Sequence, residues 1–355
     1  MTKIAIITDT HFGVRNDISH FLESQNKFFD TTFFPKIDEL KIDTLLHLGD
    51  IFDRRKYINY YTLKQSKEFF FNKLKERNIT MYVVIGNHDT YFRNTNEINS
   101  ISLLLAEYPN IKILYEPQTI QIKETLFCNI PWICEDNKDK CWEEIKNTKA
   151  EVCIGHFDIQ GFEMHTGAAS KDGIPKDKFM KFDLLMSGHF HHRSQHDNIT
   201  YLGAPYEMTW SDYNDKKGFH IFDTATRKLE FIQNPNTMFL KVEYDESYFA
   251  ENPPNFEEYR NKYIKVIITN RKNLLKFDTF IKNLHNHNPY DVKILETFVD
   301  FSSANVSDEI NVEDTTSILN GYVDTITTSI EKNKLKLYLN SLHAEAIASE
   351  TIIKE

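Results

Sequence analysis

Five short clusters of carboxylate, imidazole and amide side chains stand in order along the chain: Asp9-x-His11, Gly49-Asp50-x-x-Asp53, Gly86-Asn87-His88-Asp89, Gly155-His156 and Gly188-His189-x-His191. Carboxylate and amide oxygens mixed with imidazole nitrogens suit borderline divalent ions such as manganese, iron or zinc better than calcium or magnesium. Two such ions side by side would grip a phosphodiester, lower the pKa of a shared water and offset the charge that builds at phosphorus. One carboxylate bridging both ions explains how Asp50 alone can serve after the second cluster's glycine. An isolated Gly-Asp or Gly-His pair is ordinarily a turn; the signal lies in the ordered set.

Residues so far apart meet only if folding carries them to one edge. Lys3-Ile4-Ala5-Ile6-Ile7-Thr8 is β-branched and almost continuously apolar, the pattern of a strand buried on both faces, and it stops at Asp9. Thr44-Leu45-Leu46-His47-Leu48 before Gly49, and Met81-Tyr82-Val83-Val84-Ile85 before Gly86, repeat the pattern. Helical periodicity around Leu22 to Leu40 and around Thr62 to Lys75 separates these runs, which predicts a βαβαβ order. Further strands are expected at 152–154, 184–186 and 199–202, the first two again running into Gly-His. Every cluster thus falls at the carboxyl end of a strand, the edge where α/β sheets form their binding crevice. The glycines before Asp50, Asn87, His156 and His189 let the backbone turn sharply there.

The pattern changes near Asn234-Pro235-Asn236. Strand, helix and strand signals over 236–300 describe a small α+β unit, and 301–355 reads as a polar linker followed by two amphipathic helical stripes, around Ile318 to Ile330 and Leu335 to Ala346. Three regions, 1–235, 236–300 and 301–355, suit a chain of 355 residues. Hydrophobic residues at 41% and charged residues at 26% are those of an ordinary globular protein. Cys128, Cys134, Cys141 and Cys153 lack C-x-x-C spacing, so they read as plain reduced thiols and not as a zinc cage. No apolar run reaches the roughly 18 residues of a membrane span, and Met1-Thr2-Lys3-Ile4 enters a strand without a signal-peptide pattern, so a cytoplasmic protein without a membrane partner is expected. The net charge of -10 means that any nucleic acid must be held by local basic patches and bound metal.

The ordered set reproduces in full the pattern D-x-H, G-D-x-x-[DH], G-N-H-[DE], G-H, G-H-x-H, and through it residues 1 to about 230 resemble the calcineurin-like metallophosphoesterase superfamily. The resemblance implies an α/β sandwich of two β-sheets flanked by helices. It places Asp9, His11 and His191 on a first metal, Asn87, His156 and His189 on a second, and Asp50 between them. His88 would stabilise or protonate the departing oxygen, with Asp53 set to orient or charge its imidazole. Within the superfamily, Asp9-Thr10-His11-Phe12-Gly13, Gly49-Asp50-Ile51-Phe52-Asp53, Ile130-Pro131-Trp132, Met186-Ser187-Gly188-His189-Phe190-His191 and Tyr201-Leu202-Gly203-Ala204-Pro205 resemble the SbcD-type DNA nucleases, among them the recombination nucleases of T-even-type bacteriophages.

That likeness implies an exonuclease and endonuclease using two divalent ions, manganese preferred and magnesium possible, on single-stranded DNA and duplex ends in double-strand-break processing, recombination and DNA degradation. Residues 236–300 would form a capping domain that helps admit DNA. The helical C-terminal tail would dock on the coiled coil of an SbcC-type ABC ATPase, in a bacterial or phage-infected cytoplasm. A homodimer would form through the helices at about Tyr57 to Lys75 and Glu97 to Ala106. A phosphomonoesterase or cyclic-nucleotide phosphodiesterase on the same core is the rival, and a non-catalytic scaffold the reading from another class. Arg15, Arg54, Arg55 and Arg93 follow the clusters closely and are candidate phosphate contacts, weighed against surface ion pairs. Tyr206 and Trp210 are weighed as base-stacking rings against core packing.

Overall fold

β1 (Lys3–Ile7) is covered on both faces, as its unbroken apolar run requires; Ile4, Ala5, Ile6 and Ile7 are at most 1% exposed. The computed structural model describes residues 2–165, 168–170, 173–296, 323, 331–336, 338 and 339. After β1 come β2 (Thr44–His47), β3 (Thr80–Val84), β4 (Ile111–Leu114), β5 (Gln118–Ile122), β6 (Thr125–Ile130) and β7 (Val152–His156). A small hairpin, β8 (Glu163–His165) with β9 (Ala168–Ala169), precedes β10 (Leu184–Gly188), β11 (Ser194–His196), β12 (Ile199–Tyr201), β13 (Gly218–Asp223) and β14 (Lys228–Gln233).

Two six-stranded sheets result, ordered β14-β13-β1-β2-β3-β4 and β11-β12-β10-β7-β6-β5. β1 to β4 run parallel, as do β6, β7, β10 and β12, so each sheet gathers several strand ends on one edge. The inner faces meet in an apolar layer that includes Ile4, Ile6, Leu46 and Val84 from the first sheet and Phe127, Ile154 and Met186 from the second. Helical segments Ser19–Phe28 and Phe34–Leu40, joined by a π-turn at Phe29–Phe33, contribute Phe21, Phe28 and Phe34 to the core around the first sheet. Helix Lys138–Asn147 supplies Cys141 and Ile145 to the core of the second. The architecture is therefore the expected two-sheet sandwich flanked by helices.

An aromatic cluster ties the loops after β1 and β2 to the π-turn at Phe29–Phe33 and to a second one at Lys67–Phe71. Phe12 lies 5.4 to 6.1 Å, ring centre to ring centre, from Phe29, Phe52, Phe69, Phe70 and Phe71. Phe12 and Phe52 also pair as an isolated parallel bridge, which joins the two loops that begin with Asp9 and Asp50.

The last described elements are β15 (Phe239–Asp245), β16 (Tyr263–Asn270) and β17 (Asp291–Glu296), an all-parallel sheet with helix Leu274–Asn286 between its last two strands. Phe277, Phe280 and Leu284 of that helix bury Val242, Tyr244, Ile264 and Val266. The unit is anchored through Phe239 on Phe21 and Trp210, through His20 stacked 3.8 Å from Tyr290, and through Glu207, whose Oε2 accepts the N–H groups of Met238 and Phe239 at 2.5 and 3.0 Å. Residues 2–91 and 95–296 form one compact unit. The two expected helical stripes, around 318–330 and 335–346, fall largely outside the described residues. Among the described residues no helix is long and apolar enough to cross a membrane.

Two buried histidines set an acid limit on this fold. Burial holds His47 and His220 neutral, each lowered from 6.5 to about 3. The unfolded chain takes up protons below about 6.5 that the folded chain refuses until about 3, so stability is full above 6.5 and falls as pH drops through that window. At pH 5 the loss is about 2 kcal/mol for each histidine. Thermal melts at pH 7 and pH 5 should show it, and His220→Asn should recover part of the drop; an unchanged drop would clear His220 of responsibility.

Candidate metal centre

The first three clusters sit on loops leaving β1, β2 and β3, and the last two at the ends of β7 and β10, so the site lies where the carboxyl edges of the two sheets meet. The loop backbones are strained where they carry the chemistry. Asp9, His11, Asp50 and His189 all have positive φ, at 52°, 40°, 57° and 87°. Such conformations cost about 1 to 3 kcal/mol each and persist only where surrounding structure dictates them. The bonds that dictate them are Asp9 N–H to Gly49 O, His11 N–H to Asp50 O and Phe12 N–H to Ile51 O, at 2.8 to 3.1 Å. Gly49 is required here: its φ is +99°, and a Cβ would stand 2.6 Å from His156 Nδ1 and 2.8 Å from Gly86 Cα. Gly49→Ala should therefore abolish metal uptake and lower Tm, measured by metal titration and calorimetry; native affinity in that variant would contradict this packing.

Two foci emerge. Asp9, His11 and His191 offer ligand atoms within 4.8 Å of one another, and so do Asp50, His156 and His189. Asn87 Oδ1 lies 3.0 Å from His156 Nε2 and 2.9 Å from His189 Nδ1, which adds it to the second set. Asp50 Oδ2 is 3.5 Å from His11 Nε2 and 3.2 Å from His156 Nε2, so this carboxylate faces both sets. All seven residues expected as metal ligands are thus brought together.

The donor set itself fits divalent ions. His156 donates its Nδ1–H to Leu48 O at 2.7 Å, so in the neutral ring Nε2 turns a lone pair on Asp50 Oδ2 and Asn87 Oδ1. His11 Nε2 and His191 Nε2 face each other at 3.1 Å, with Asp9 Oδ1 at 3.7 and 3.9 Å. At the second focus the His156 lone pair therefore confronts carboxylate and amide oxygens, an arrangement that a positive charge resolves. Protons respond accordingly. Burial pulls His156 down, but Asp50 and Asp9 outweigh it and raise the ring to about 9. Burial opposes the charges of Asp9 and Asp50, yet the surrounding imidazoles hold both carboxyls far below their ordinary range. Burial lowers His189 to about 3 and His191 to about 4, which keeps both rings neutral and free to coordinate.

His88 stands at the rim. Its Nδ1–H donates to the backbone oxygen of Asp53 at 2.5 Å, which leaves Nε2 as the atom able to pass a proton, and its ring meets His11 edge-on at 4.8 Å. The carboxylate of Asp53 offers an oxygen within 4.8 Å of ring nitrogens of both His11 and His88. Its Oδ1 lies 3.5 Å from His11 Nδ1, and His11 keeps the carboxyl below its usual range despite burial. Asp53 therefore orients His88 through its carbonyl and braces the ligand His11 through its side chain.

Of the candidate phosphate contacts, Arg54 is engaged within the protein. It bonds Asn16 at 2.7 Å, pairs with Asp17 at 3.0 Å and lies over Tyr57, bridging the loops of the first two clusters. Arg15 and Arg55 are half-buried and Arg93 is exposed. Tyr206 is core, its hydroxyl donating to Thr10 O at 2.5 Å, and Trp210 packs on Phe239.

Three supporting residues escape a reading of the sequence. Asp89 is legible as a motif position without a role; its carboxylate accepts the N–H groups of Gly86, Asp50 and Ile51 at 2.8 to 3.0 Å and so sets the second and third loops. Thr8 donates to Asp9 Oδ2 at 2.6 Å. Trp132 covers the second focus with its ring 5.2 Å from His189, and its carbonyl is fixed by Asn96 and Asn137. Among these, Asp89 and Trp132 have a sequence signal, the Gly86-Asn87-His88-Asp89 cluster and the Ile130-Pro131-Trp132 block, while Thr8 has none.

Comparisons with known proteins agree with this geometry. Residues 2–193 match the calcineurin-like phosphoesterase family. Exonuclease subunit 1 of Enterobacteria phage T4 is 32% identical over 357 residues, covering 97% of this chain and 99% of that protein. The SbcD component of the nuclease SbcCD from Staphylococcus epidermidis is 25% identical, covering 64% of this chain and 67% of that one. DNA double-strand break repair protein Mre11 of Methanocaldococcus jannaschii is 28% identical, covering 63% of each. With the family match spanning more than half the chain and its metal-binding pattern assembled at one sheet edge, the protein belongs to the calcineurin-like phosphoesterase family.

Proposed function

We propose that this protein is a two-metal DNA exonuclease and endonuclease, hydrolysing phosphodiester bonds in double-strand-break processing, recombination and DNA degradation. The observation that carries the reading is the convergence of seven ligand side chains on two foci with His88 beside them, in a chain similar over nearly its whole length to a phage exonuclease subunit. Asp9, His11 and His191 would hold one divalent ion, Asn87, His156 and His189 the other, and Asp50 both, with manganese the preferred metal and magnesium admissible. Such ions, when bound, supply charge neutralisation at phosphorus and acidify a water. The protein's own part is to fix the ligands, to keep His189 and His191 neutral, and to present His88 Nε2 to the departing oxygen. Arg15, Arg54, Arg55 and Arg93 are proposed phosphate contacts, Arg54 also bracing the loops through Asp17.

The finer assignments follow the same likeness. Residues 1–235 would be the nuclease domain, 236–300 the capping domain, and 301–355 a linker and helical hairpin that binds the coiled coil of an SbcC-type ABC ATPase in a bacterial or phage-infected cytoplasm. A homodimer is supported by an exposed apolar patch that Tyr57, Ile98 and Leu103 line together, with Leu103 70% exposed.

Substrate class is tested by offering purified protein with manganese both end-labelled DNA and small phosphate esters. Release of nucleotides from DNA at rates well above those on the esters supports the nuclease. Hydrolysis of p-nitrophenyl phosphate with no cleavage of DNA, even with an SbcC-type partner present, moves the protein to the phosphomonoesterase reading.

A further inference from the structure

The loop that carries His189 and His191 leaves β10 at Gly188 and is bonded at its far end by a buried ammonium. Lys217, only 3% exposed, stands immediately before β13. Its Nζ donates to the backbone oxygen of His191 at 2.7 Å, to Asp212 Oδ1 at 2.6 Å and to Asp215 Oδ2 at 2.9 Å. An ammonium has three N–H donors, and each has an acceptor. The partners are themselves fixed. Asp212 Oδ2 accepts the N–H groups of Met208 and Thr209 at 2.9 Å, and Asp215 Oδ1 lies 3.1 Å from His192 Nδ1. The His191 carbonyl takes a second bond from Ala204 N–H at 3.0 Å.

A buried ion network is a poor route to stability, because apolar side chains of similar volume commonly serve as well or better. What apolar packing cannot supply is a strong directional donor on one chosen carbonyl. His189 does not depend on this donor. Its N–H is held by the Asp9 carboxylate at 3.1 Å, and its ring by Asn87, Trp132 and Phe190.

We infer that Lys217 is a positioning residue for one metal of the pair: by fixing the His191 carbonyl it sets the affinity of the focus built from Asp9, His11 and His191, and leaves the focus of Asn87, His156 and His189 untouched. This rests on the two-metal reading. Outer partners of metal ligands typically govern affinity by about 10- to 100-fold.

The test is calorimetric titration of the full chain with manganese, with low-temperature electron paramagnetic resonance as a second readout. Wild type should take two equivalents and show the signal of a coupled pair. Lys217→Met should bind one equivalent with wild-type Kd and the other about 10- to 100-fold more weakly, so that at intermediate metal the isolated six-line manganese spectrum replaces the coupled one. The double variant Lys217→Met/Asp212→Asn removes the charge of one of the two carboxylates that lose the ammonium, Asp215 keeping His192 beside it; it should fold if the single variant does not, and show the same selective loss. Two unchanged affinities, or two that fall together, would overturn the role of Lys217. A wild type that takes up no metal would overturn the two-metal reading itself, and this inference with it.

Discussion

Asp50→Ala should abolish DNA cleavage, with kcat/KM falling at least about 10⁴-fold, a barrier increase of about 5.5 kcal/mol. Its carboxylate alone among the seven ligands faces both foci, 3.5 Å from His11 Nε2 and 3.2 Å from His156 Nε2, so its loss strips each ion of a ligand at once. The fold should survive. Burial and the charge of Asp50 together raise Asp89 to about 7, and removing Asp50 relieves that strain while Asp89 keeps its three backbone donors. The predicted phenotype is therefore an inactive protein with near-native Tm in the metal-free state and no tight manganese binding. Activity within tenfold of wild type would remove Asp50 from the centre.

His88→Ala should give the second-largest effect by a different route. His88 is placed to move a proton and is not needed by either ligand set, so kcat should fall about 10²- to 10⁴-fold while two equivalents of manganese still bind. The two variants separate holding metal from using it. Should His88→Ala lose a metal equivalent, its role would be ligation, and the proton would have to come from elsewhere.

Much of this centre is legible in the sequence because strand ends and ligands are adjacent in the chain. Unbroken apolar runs announce β1, β2 and β3, and the polar residues that interrupt them are the ligands themselves. The strands around 152–154 and 184–186 extend to His156 and Gly188 for the same reason. β4, at four residues, and β14, with alternating half-buried and exposed positions, carry a weaker pattern that does not announce a strand. Helix Lys138–Asn147 is hidden by a mostly charged and polar surface. Spacing also cannot say which imidazole a carboxylate will face. Asp53 is far in sequence from both His88 and His11, and only the folded loops bring its Oδ1 to His11 and its carbonyl to His88. Lys217 is further from view still, since its meaning depends on a carbonyl 26 residues earlier and on a complete set of acceptors that exists only after folding.

The most direct test is a crystal of the full chain grown with manganese, with an anomalous difference map recorded at the manganese edge. Two peaks are expected, one among Asp9, His11 and His191, the other among Asn87, His156 and His189, with Asp50 reaching both. A single peak, or a pair of ions held by other side chains, would contradict the two-metal centre.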